Sequence, residues 1–158
     1  MLSCLDSLIS GLNTLTKTAE LERLERALLA GSPTFSKLTP QCEFSEVNYK
    51  RQKLAGSEWY DLWLICWQAG QSSPIHDHQG SNCAFRIMTG VATEHVYEPI
   101  TADTVREIGV NTYQSGELCV AAGGDIHRIA NAETVQPLVT LHLYSPPLRM
   151  NYYREALS

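Results

Sequence analysis

Apolar residues recur at helical spacing near the start of the chain and predict two helices. The first helix is marked by the apolar positions Leu2, Leu5, Leu8, Ile9 and Leu12. The second is marked by Leu21, Leu24, Leu28 and Leu29. We expect Thr18 to cap the second helix at its N-terminus and Gly31 to end it. Nothing in either helix suggests chemistry, so both are interpreted as packing elements.

From about residue 44 the pattern changes to short strands separated by Gly, Pro, Asn and Asp. The stretch from Trp59 to Trp67 is apolar on both faces, so we expect a buried central strand there. Further strands are expected at 45–52, 82–89, 91–98, 105–110, 116–121, 127–131 and 137–145. Many short strands with turns between them favour a sandwich or a closed barrel. We therefore expect one mostly β domain over 1–158, in which an N-terminal helical segment (1–43) packs on a barrel core (44–147).

The composition is that of an ordinary globular chain, because 158 residues that are 44% hydrophobic can bury a core. A net charge of -5 makes general binding to nucleic acid or to an anionic membrane a poor hypothesis. No apolar run approaches the roughly 20 residues of a membrane span, and the first residues lack the pattern of a signal peptide. We therefore expect a cytoplasmic protein. The odd number of widely spaced cysteines fits neither a disulfide framework nor a cysteine-only zinc site, and we expect most of them to be small buried residues: Cys4, Cys42, Cys66 and Cys119.

Histidines carry the chemical argument. His76 and His78 are separated by one residue, and alternate residues of a strand face the same side, so both can point at one metal ion. The segment around them runs Gly70, five residues, His76-Asp77-His78, four residues, Cys83, six residues, Gly90. A second segment runs Gly116, five residues, Ala122-Gly123-Gly124, two residues, His127, three residues, Asn131. His95 matches no motif, and we interpret it as a residue without a special role.

These two segments resemble the paired motifs of the cupin superfamily, a small β-barrel of jelly-roll type. In that family the first motif supplies two histidines and usually a glutamate, and the second supplies another histidine. Here Cys83 stands at the glutamate position, and Ala122 stands where the second motif usually has proline. Three neutral imidazoles would leave a divalent metal with its full 2+ charge, whereas the common non-heme iron site includes a carboxylate. Such a site suits an anionic substrate, for example a thiolate.

The last predicted strand places polar groups on one face and apolar groups on the other. Leu138, Thr140, His142 and Tyr144 share the first face, and Val139, Leu141 and Leu143 share the second. Since unpaired burial of polar groups is costly, the first face is expected to line a cavity. On the predicted strand 45–52, Tyr49 and Arg51 also share a face.

The whole set resembles the cysteine dioxygenase family of cupin thiol dioxygenases from about Tyr49 to Pro147. The residues that carry the resemblance are Tyr49-x-Arg51, Cys66-Trp67, His76-Asp77-His78, Cys83, His127-Arg128 and His142-Leu143-Tyr144-Ser145-Pro146-Pro147. The resemblance implies that His76, His78 and His127 bind iron(II), and that Arg51 pairs with the substrate carboxylate while Tyr49 lines the same pocket. It also implies that His142 and Tyr144 form a polar relay, and that Cys83 and Tyr144 can become joined by a thioether bond. Thr140 stands where the family commonly has serine.

The implied reaction converts L-cysteine and O2 to cysteine sulfinic acid, a known step of thiol oxidation. Cysteine would chelate iron(II) through its thiolate and amine while Arg51 holds its carboxylate, and both oxygen atoms would end on sulfur. The expected partners are therefore a small thiol and O2, with no nucleic acid and no membrane, and we expect a monomer. Two alternatives stay open: a sister thiol dioxygenase acting on 3-mercaptopropionate or a related thiol, and a non-catalytic metal-binding cupin.

Overall fold

The computed structural model describes residues 3–157, so Leu2 of the first predicted helix lies outside the described residues. Three helices come first: α1 (Cys4–Leu12), α2 (Leu21–Gly31) and the short α3 (Phe35–Leu38), which runs into a single 3₁₀ turn (Thr39–Gln41). Ser3 caps α1 through a reciprocal pair of hydrogen bonds with Asp6. Within the described residues, no helix has the length and apolar character needed to cross a membrane.

Eleven strands follow within the described part of the chain. They are β1 (Lys50–Gly56), β2 (Asp61–Trp67), β3 (His76–Asp77), β4 (Asn82–Thr89), β5 (Ala92–Pro99), β6 (Thr104–Tyr113), β7 (Leu118–Ala121), β8 (Ile126–Ala130), β9 (Leu138–Ser145), β10 (Asn151–Tyr152) and β11 (Arg154–Glu155). They form two sheets, one in the order β1-β2-β9-β4-β7 and one in the order β10-β3-β8-β5-β6-β11. The predicted mostly β, jelly-roll architecture with N-terminal helices is confirmed.

Strand β9 separates two apolar clusters, as its alternating pattern predicts. Val139, Leu141 and Leu143 face the helices and pack in one cluster with core leucines of α1 and α2. On its other face, Leu138 and Tyr144 pack in a second cluster with Phe85 and Ile129, between the two sheets. The helices therefore cover the outside of the first sheet, and the space between the sheets is left for a cavity.

Helix α2 starts later than predicted. It begins at Leu21 with Glu20 at the N-cap, because the backbone N–H of Ala19 donates to the Ser145 hydroxyl (2.8 Å) and holds the preceding chain against β9. The prediction that Thr18 is the N-cap is therefore wrong, whereas the prediction that the helix ends at Gly31 is confirmed. Leu29, expected on the apolar face, is exposed.

The first strand is also displaced from the predicted 45–52. Local hydrogen bonds from the Val47 N–H to the Ser45 hydroxyl and from the Tyr49 N–H to the Asn48 side chain hold a bend before Lys50. Short polar side chains compete with sheet hydrogen bonds in this way.

Among the cysteines expected to be buried, Cys66 and Cys119 are buried, Cys42 is half-buried and Cys4 is exposed, which corrects the expectation for Cys4.

Candidate metal centre

Three buried histidines from two separate motifs meet between the sheets. His76 lies on β3 opposite His127 on β8, and His78 follows β3 directly. The ring centroids are 5.1 Å apart for His76 and His78, and 4.9 Å apart for each of the other two pairs. One nitrogen of each ring lies within 4.8 Å of the corresponding nitrogens of the others. This spacing allows a single ion to contact all three.

A close backbone approach brings the two motifs together. The His78 N–H donates to the Gly123 carbonyl (3.2 Å). A Cβ added to Gly123 would lie 2.5 Å from the Gly80 Cα, so only glycine fits there. Gly80 itself has φ +91°, in the left-handed region that favours glycine. The glycines of both motifs therefore set the distance between the metal-binding segments.

The hydrogen bonds of the His76 and His127 rings leave one nitrogen of each ring with a free lone pair that can bind a cation. His76 Nδ1 lies 2.8 Å from the Pro74 carbonyl, and His127 Nδ1 lies 2.8 Å from Glu94 Oε2. Both partners only accept, so each Nδ1 carries the hydrogen and each Nε2 keeps its lone pair. The Nε2 atoms of His78 and His127 face each other at 3.3 Å. His78 Nδ1 is buried without a hydrogen-bond partner among the described residues.

Electrostatics keep two of these rings neutral. Burial, reinforced by repulsion from His127, lowers the pKa of His76 to about 4 and that of His78 to about 3. A metal ligand must be unprotonated, so the rings are ready to bind at neutral pH. Three imidazole nitrogens fit a divalent transition metal such as iron or zinc.

A narrow cavity that opens to the surface reaches the histidine cluster. All eight residues predicted for the site line it: Tyr49, Arg51, His76, His78, Cys83, His127, His142 and Tyr144. The remaining walls are largely apolar and come from Ile65, Trp67, Phe85, Ile129, Leu148 and Met150, with Ser73. The structure thus brings the predicted residues into one place.

A buried hydrogen-bonded chain runs along β9 toward the cavity. The Trp67 indole N–H donates to Thr140 Oγ1 (3.0 Å), Thr140 Oγ1 lies 2.8 Å from His142 Nε2, and His142 Nδ1 lies 3.0 Å from the Tyr144 hydroxyl. Burial lowers the pKa of His142 well below its usual value, so the ring is neutral. A single direction satisfies every donor: Trp67 to Thr140, Thr140 to His142, and His142 to Tyr144. The Tyr144 hydrogen is then free for the Cys83 thiol or for a bound molecule.

Thr140→Val is expected to lower the free energy of unfolding by about 1–3 kcal/mol, because the Trp67 N–H would be left unpaired in the core. Valine has nearly the same size as threonine and carries a methyl group in place of the hydroxyl. Urea unfolding measures the effect, with Thr112→Val, at an exposed position on β6, as the control that should change stability by less than about 0.5 kcal/mol. Equal stability of Thr140→Val and wild type would show that the Trp67–Thr140 bond is not a net contributor.

Cys83 and Tyr144 are directly opposite each other on β4 and β9. The two side chains pack in the same buried cluster, and burial raises the pKa of both groups. Both side chains are therefore protonated and in contact. The arrangement is compatible with the thioether bond that the family resemblance implies.

Arg51 and Tyr49 form the outer part of the cavity. The Tyr49 ring stacks on Trp67, with centroids 4.6 Å apart. The Arg51 guanidinium carbon lies 5.3 Å from the centroid of the Trp63 ring, a cation–π contact. Arg51 is exposed, and among the described residues it forms no salt bridge with a carboxylate. The charge is thus held in place but remains available to an anion.

Sequence reasoning missed the carboxylate next to the cluster. Glu94 on β5 is buried and contacts His127. Burial would raise the pKa of Glu94, but hydrogen bonds led by the one from His127 outweigh it and lower the pKa to about 2. The sequence did offer a signal, because Glu94 lies two residues after Ala92 and therefore on the same inward face of a half-buried strand. A charged residue on such a face needs a partner, since buried charges are rare unless paired. His95, the adjacent residue, instead points outward to Glu107 (2.8 Å).

A C-terminal strap, defined as residues 148–155, was missed as well. Its strand β10 pairs with β3, which carries His76. Asp77, between the two histidines, accepts hydrogen bonds from the Asn151 side chain (3.1 Å) and the Tyr153 hydroxyl (2.7 Å). The strap therefore fixes the metal-binding strand from its outer side.

A family comparison fits this geometry. The family model for cysteine dioxygenase type I matches residues 17–155. The chain belongs to this family. Cysteine dioxygenase type 1 of Rattus norvegicus is 30% identical over 109 residues, which cover 66% of this chain and 54% of that protein. The enzyme of Danio rerio is 28% identical over 112 residues, which cover 68% of this chain and 56% of that protein. The chain thus spans about half the length of these curated relatives.

Comparison with solved structures bears on the fold. A Klebsiella pneumoniae protein with a double-stranded β-helix domain superposes with a TM-score of 0.62 at 15% identity, covering 73% of this chain and 88% of that chain. At this identity the likeness shows the cupin fold alone. The family membership and the three-histidine cluster together indicate a metal-binding cupin related to thiol dioxygenases.

Proposed function

We propose that the protein is a non-heme iron(II) thiol dioxygenase that oxidises L-cysteine with O2 to cysteine sulfinic acid. The observation that carries the proposal is the set of three buried imidazoles facing a cavity that also contains Arg51 and Tyr144. Membership of the cysteine dioxygenase family supports the same activity. Iron(II) held by His76, His78 and His127 would supply a binding site for the thiolate and activation of O2.

The charges of the site favour an anionic thiol with an acid group. The three histidines bring no negative charge, so a thiolate substrate would neutralise part of the cation. Arg51 would pair with the substrate carboxylate at the cavity mouth, where Trp63 holds its guanidinium. Because Arg51 and the three histidines line the same cavity, one small thiol acid could contact both anchors, with its sulfur toward the histidine cluster.

The inner residues would control protons and water. The Tyr144 oxygen accepts from His142, so the Tyr144 hydrogen can be donated to a bound molecule. Phe85 stacks on His142 with ring centroids 4.5 Å apart and fixes the orientation of that ring. Apolar walls reduce the amount of water near the sulfur and thereby strengthen the polar contacts that remain.

Two alternative functions remain distinguishable. A 3-mercaptopropionate dioxygenase would need the same thiolate and carboxylate contacts but no contact with an amine. A non-catalytic cupin would bind the metal or a ligand without turnover, and the complete Trp67-to-Tyr144 hydrogen-bonded chain argues against it.

The decisive experiment is anaerobic loading of the purified protein with iron(II), followed by oxygen-uptake and sulfinate assays. We expect one O2 consumed per sulfinate formed with cysteine, and less product with 3-mercaptopropionate or cysteamine. Faster turnover of 3-mercaptopropionate would support the sister activity. Metal binding without oxygen uptake for any of the three thiols would support the non-catalytic alternative.

Cys83→Ser is expected to lower turnover roughly twofold to tenfold without abolishing it. A thioether would fix the Tyr144 side chain in advance, and immobilising one side chain is worth about 0.5–1.5 kcal/mol. Peptide mass mapping after turnover should show residues 83 and 144 joined, with two hydrogens lost to the oxidant. Cys4→Ser, at an exposed position, should leave the joined peptide unchanged. If the two peptides always appear separately in wild type, the bond does not form in this protein.

We propose that the protein works in the cytoplasm. The five cysteines among the described residues are all free, which fits a reducing compartment such as the cytoplasm. We also propose that residues 1–158 form a single domain acting as a monomer. Size-exclusion chromatography with light scattering measures the oligomeric state.

A further inference from the structure

Glu94 is a buried carboxylate whose environment consists entirely of hydrogen-bond donors. Its side chain is only 8% exposed. Oε2 accepts from His127 Nδ1 (2.8 Å) and from the Cys119 thiol (3.2 Å). Oε1 accepts from the Asn111 amide nitrogen (3.1 Å) and the Tyr113 hydroxyl (3.1 Å). Each carboxylate oxygen therefore accepts two hydrogen bonds, and all four partners act as donors.

The donors come from three different strands around β5. Asn111 and Tyr113 lie on β6, Cys119 on β7 and His127 on β8. Both β6 and β8 are hydrogen-bonded neighbours of β5, and Glu94 is in direct register with Asn111. The carboxylate is thus fixed relative to the sheet that carries His127, and its position does not depend on one flexible contact.

The three histidines of the cluster are held differently. His76 is oriented by a neutral carbonyl, and His78 Nδ1 has no partner among the described residues. Within the cluster, His127 is the ring bonded to a carboxylate. A carboxylate on the distal nitrogen fixes the tautomer of a ligating histidine and makes its other nitrogen a better donor.

We propose that Glu94 is a positioning residue that fixes His127 as the Nδ1–H tautomer and thereby sets the metal affinity of the three-histidine site. Asn111, Tyr113 and Cys119 act through Glu94, because they hold its carboxylate in the orientation that receives His127. This inference rests on the proposed metal site and extends it to residues outside the cavity wall. It does not depend on which thiol the protein oxidises.

The first test is metal binding by Glu94→Gln. The amide has nearly the same size but offers one oxygen to four donors, so its NH2 group must face a donor. We expect about a 10- to 100-fold weaker affinity for iron(II) and for cobalt(II), titrated anaerobically as the metal salts alone. Glu107→Gln is the matched control, because Glu107 also accepts from a histidine Nδ1 at 2.8 Å but on the protein surface. Its metal affinity should equal that of wild type.

The second test reads the tautomer directly, and its first readout uses the wild-type protein. Long-range ¹H–¹⁵N NMR of metal-free wild-type protein should show His127 protonated at Nδ1, and the Nδ1–H signal should be lost or shifted in Glu94→Gln. Wild-type His127 protonated only at Nε2, or wild-type metal affinity in a folded Glu94→Gln variant, would overturn the proposal. Both readouts are independent of sulfinate formation, so a wild-type protein that binds metal without turnover would contradict the dioxygenase proposal alone.

Discussion

His127→Ala is expected to reduce bound iron to a small fraction of the wild-type value and to abolish turnover. The variant removes one of three ligands and leaves two neutral imidazoles, which hold a divalent ion weakly. It also leaves Glu94 without its shortest hydrogen bond, so some loss of stability is expected as well. Metal content after dialysis and oxygen uptake with cysteine measure the effect.

His78→Ala separates ligand loss from folding. His78 Nδ1 has no partner among the described residues. Replacing His78 by alanine therefore leaves no buried group without a hydrogen bond that Nδ1 had supplied. It should lose metal as completely as His127→Ala but unfold closer to wild type. His95→Ala, which affects only a surface pair with Glu107, should retain full iron and activity. Normal iron content in either His78→Ala or His127→Ala would refute the three-histidine site.

Arg51→Met is expected to lower kcat/KM for cysteine by about 10- to 100-fold. A hydrogen bond to a charged group is worth about 1.5–3 kcal/mol, and each 1.4 kcal/mol corresponds to about tenfold. A fully buried ion pair would cost more, but Arg51 is exposed, so solvent would screen the lost contact. Methionine retains part of the aliphatic stem over Trp63, which limits changes in packing.

Cysteamine, which lacks the carboxylate, supplies the control substrate for Arg51. It should be a poor substrate for wild type and lose less than about threefold in Arg51→Met. Lys50→Met, one residue earlier on β1, should leave kcat/KM for cysteine unchanged, because the salt bridge of Lys50 among the described residues is an exposed pair with Glu43. Equal losses for cysteine and cysteamine in Arg51→Met would show that Arg51 stabilises the cavity instead of binding the carboxylate.

The alternating pattern of β9 was the most informative part of the sequence. A period of two separates Thr140, His142 and Tyr144 from the apolar residues between them. The structure places those apolar residues in the cluster beneath the helices and Tyr144 in the cluster between the sheets, as expected. The spacing of the two histidine motifs was equally informative. It is read directly from the sequence, so it stays valid even where the ends of a strand are predicted incorrectly. These features are local, so one sequence is sufficient to predict them.

Features that depend on long-range contacts were not predictable. The start of α2 is set by a hydrogen bond between Ala19 and Ser145, which are distant in sequence. The role of Glu94 depends on donors from three other strands, and sequence alone does not reveal which strands are neighbours. The same limit applies to the strap, whose contacts with Asp77 are made by residues beyond the predicted barrel core.

The strap also determines which strands form the edges of the second sheet. Strand β3 is only two residues long, and it lies between β8 and β10. A chain cut after Pro147 would lack β10, so the strand bearing His76 would become an exposed edge with unpaired backbone N–H and C=O groups. Asp77 would also lose the hydrogen bonds from Asn151 and Tyr153. A shortened chain would therefore hold the strand that carries His76 less firmly, even though every residue proposed to bind the metal or the substrate would still be present.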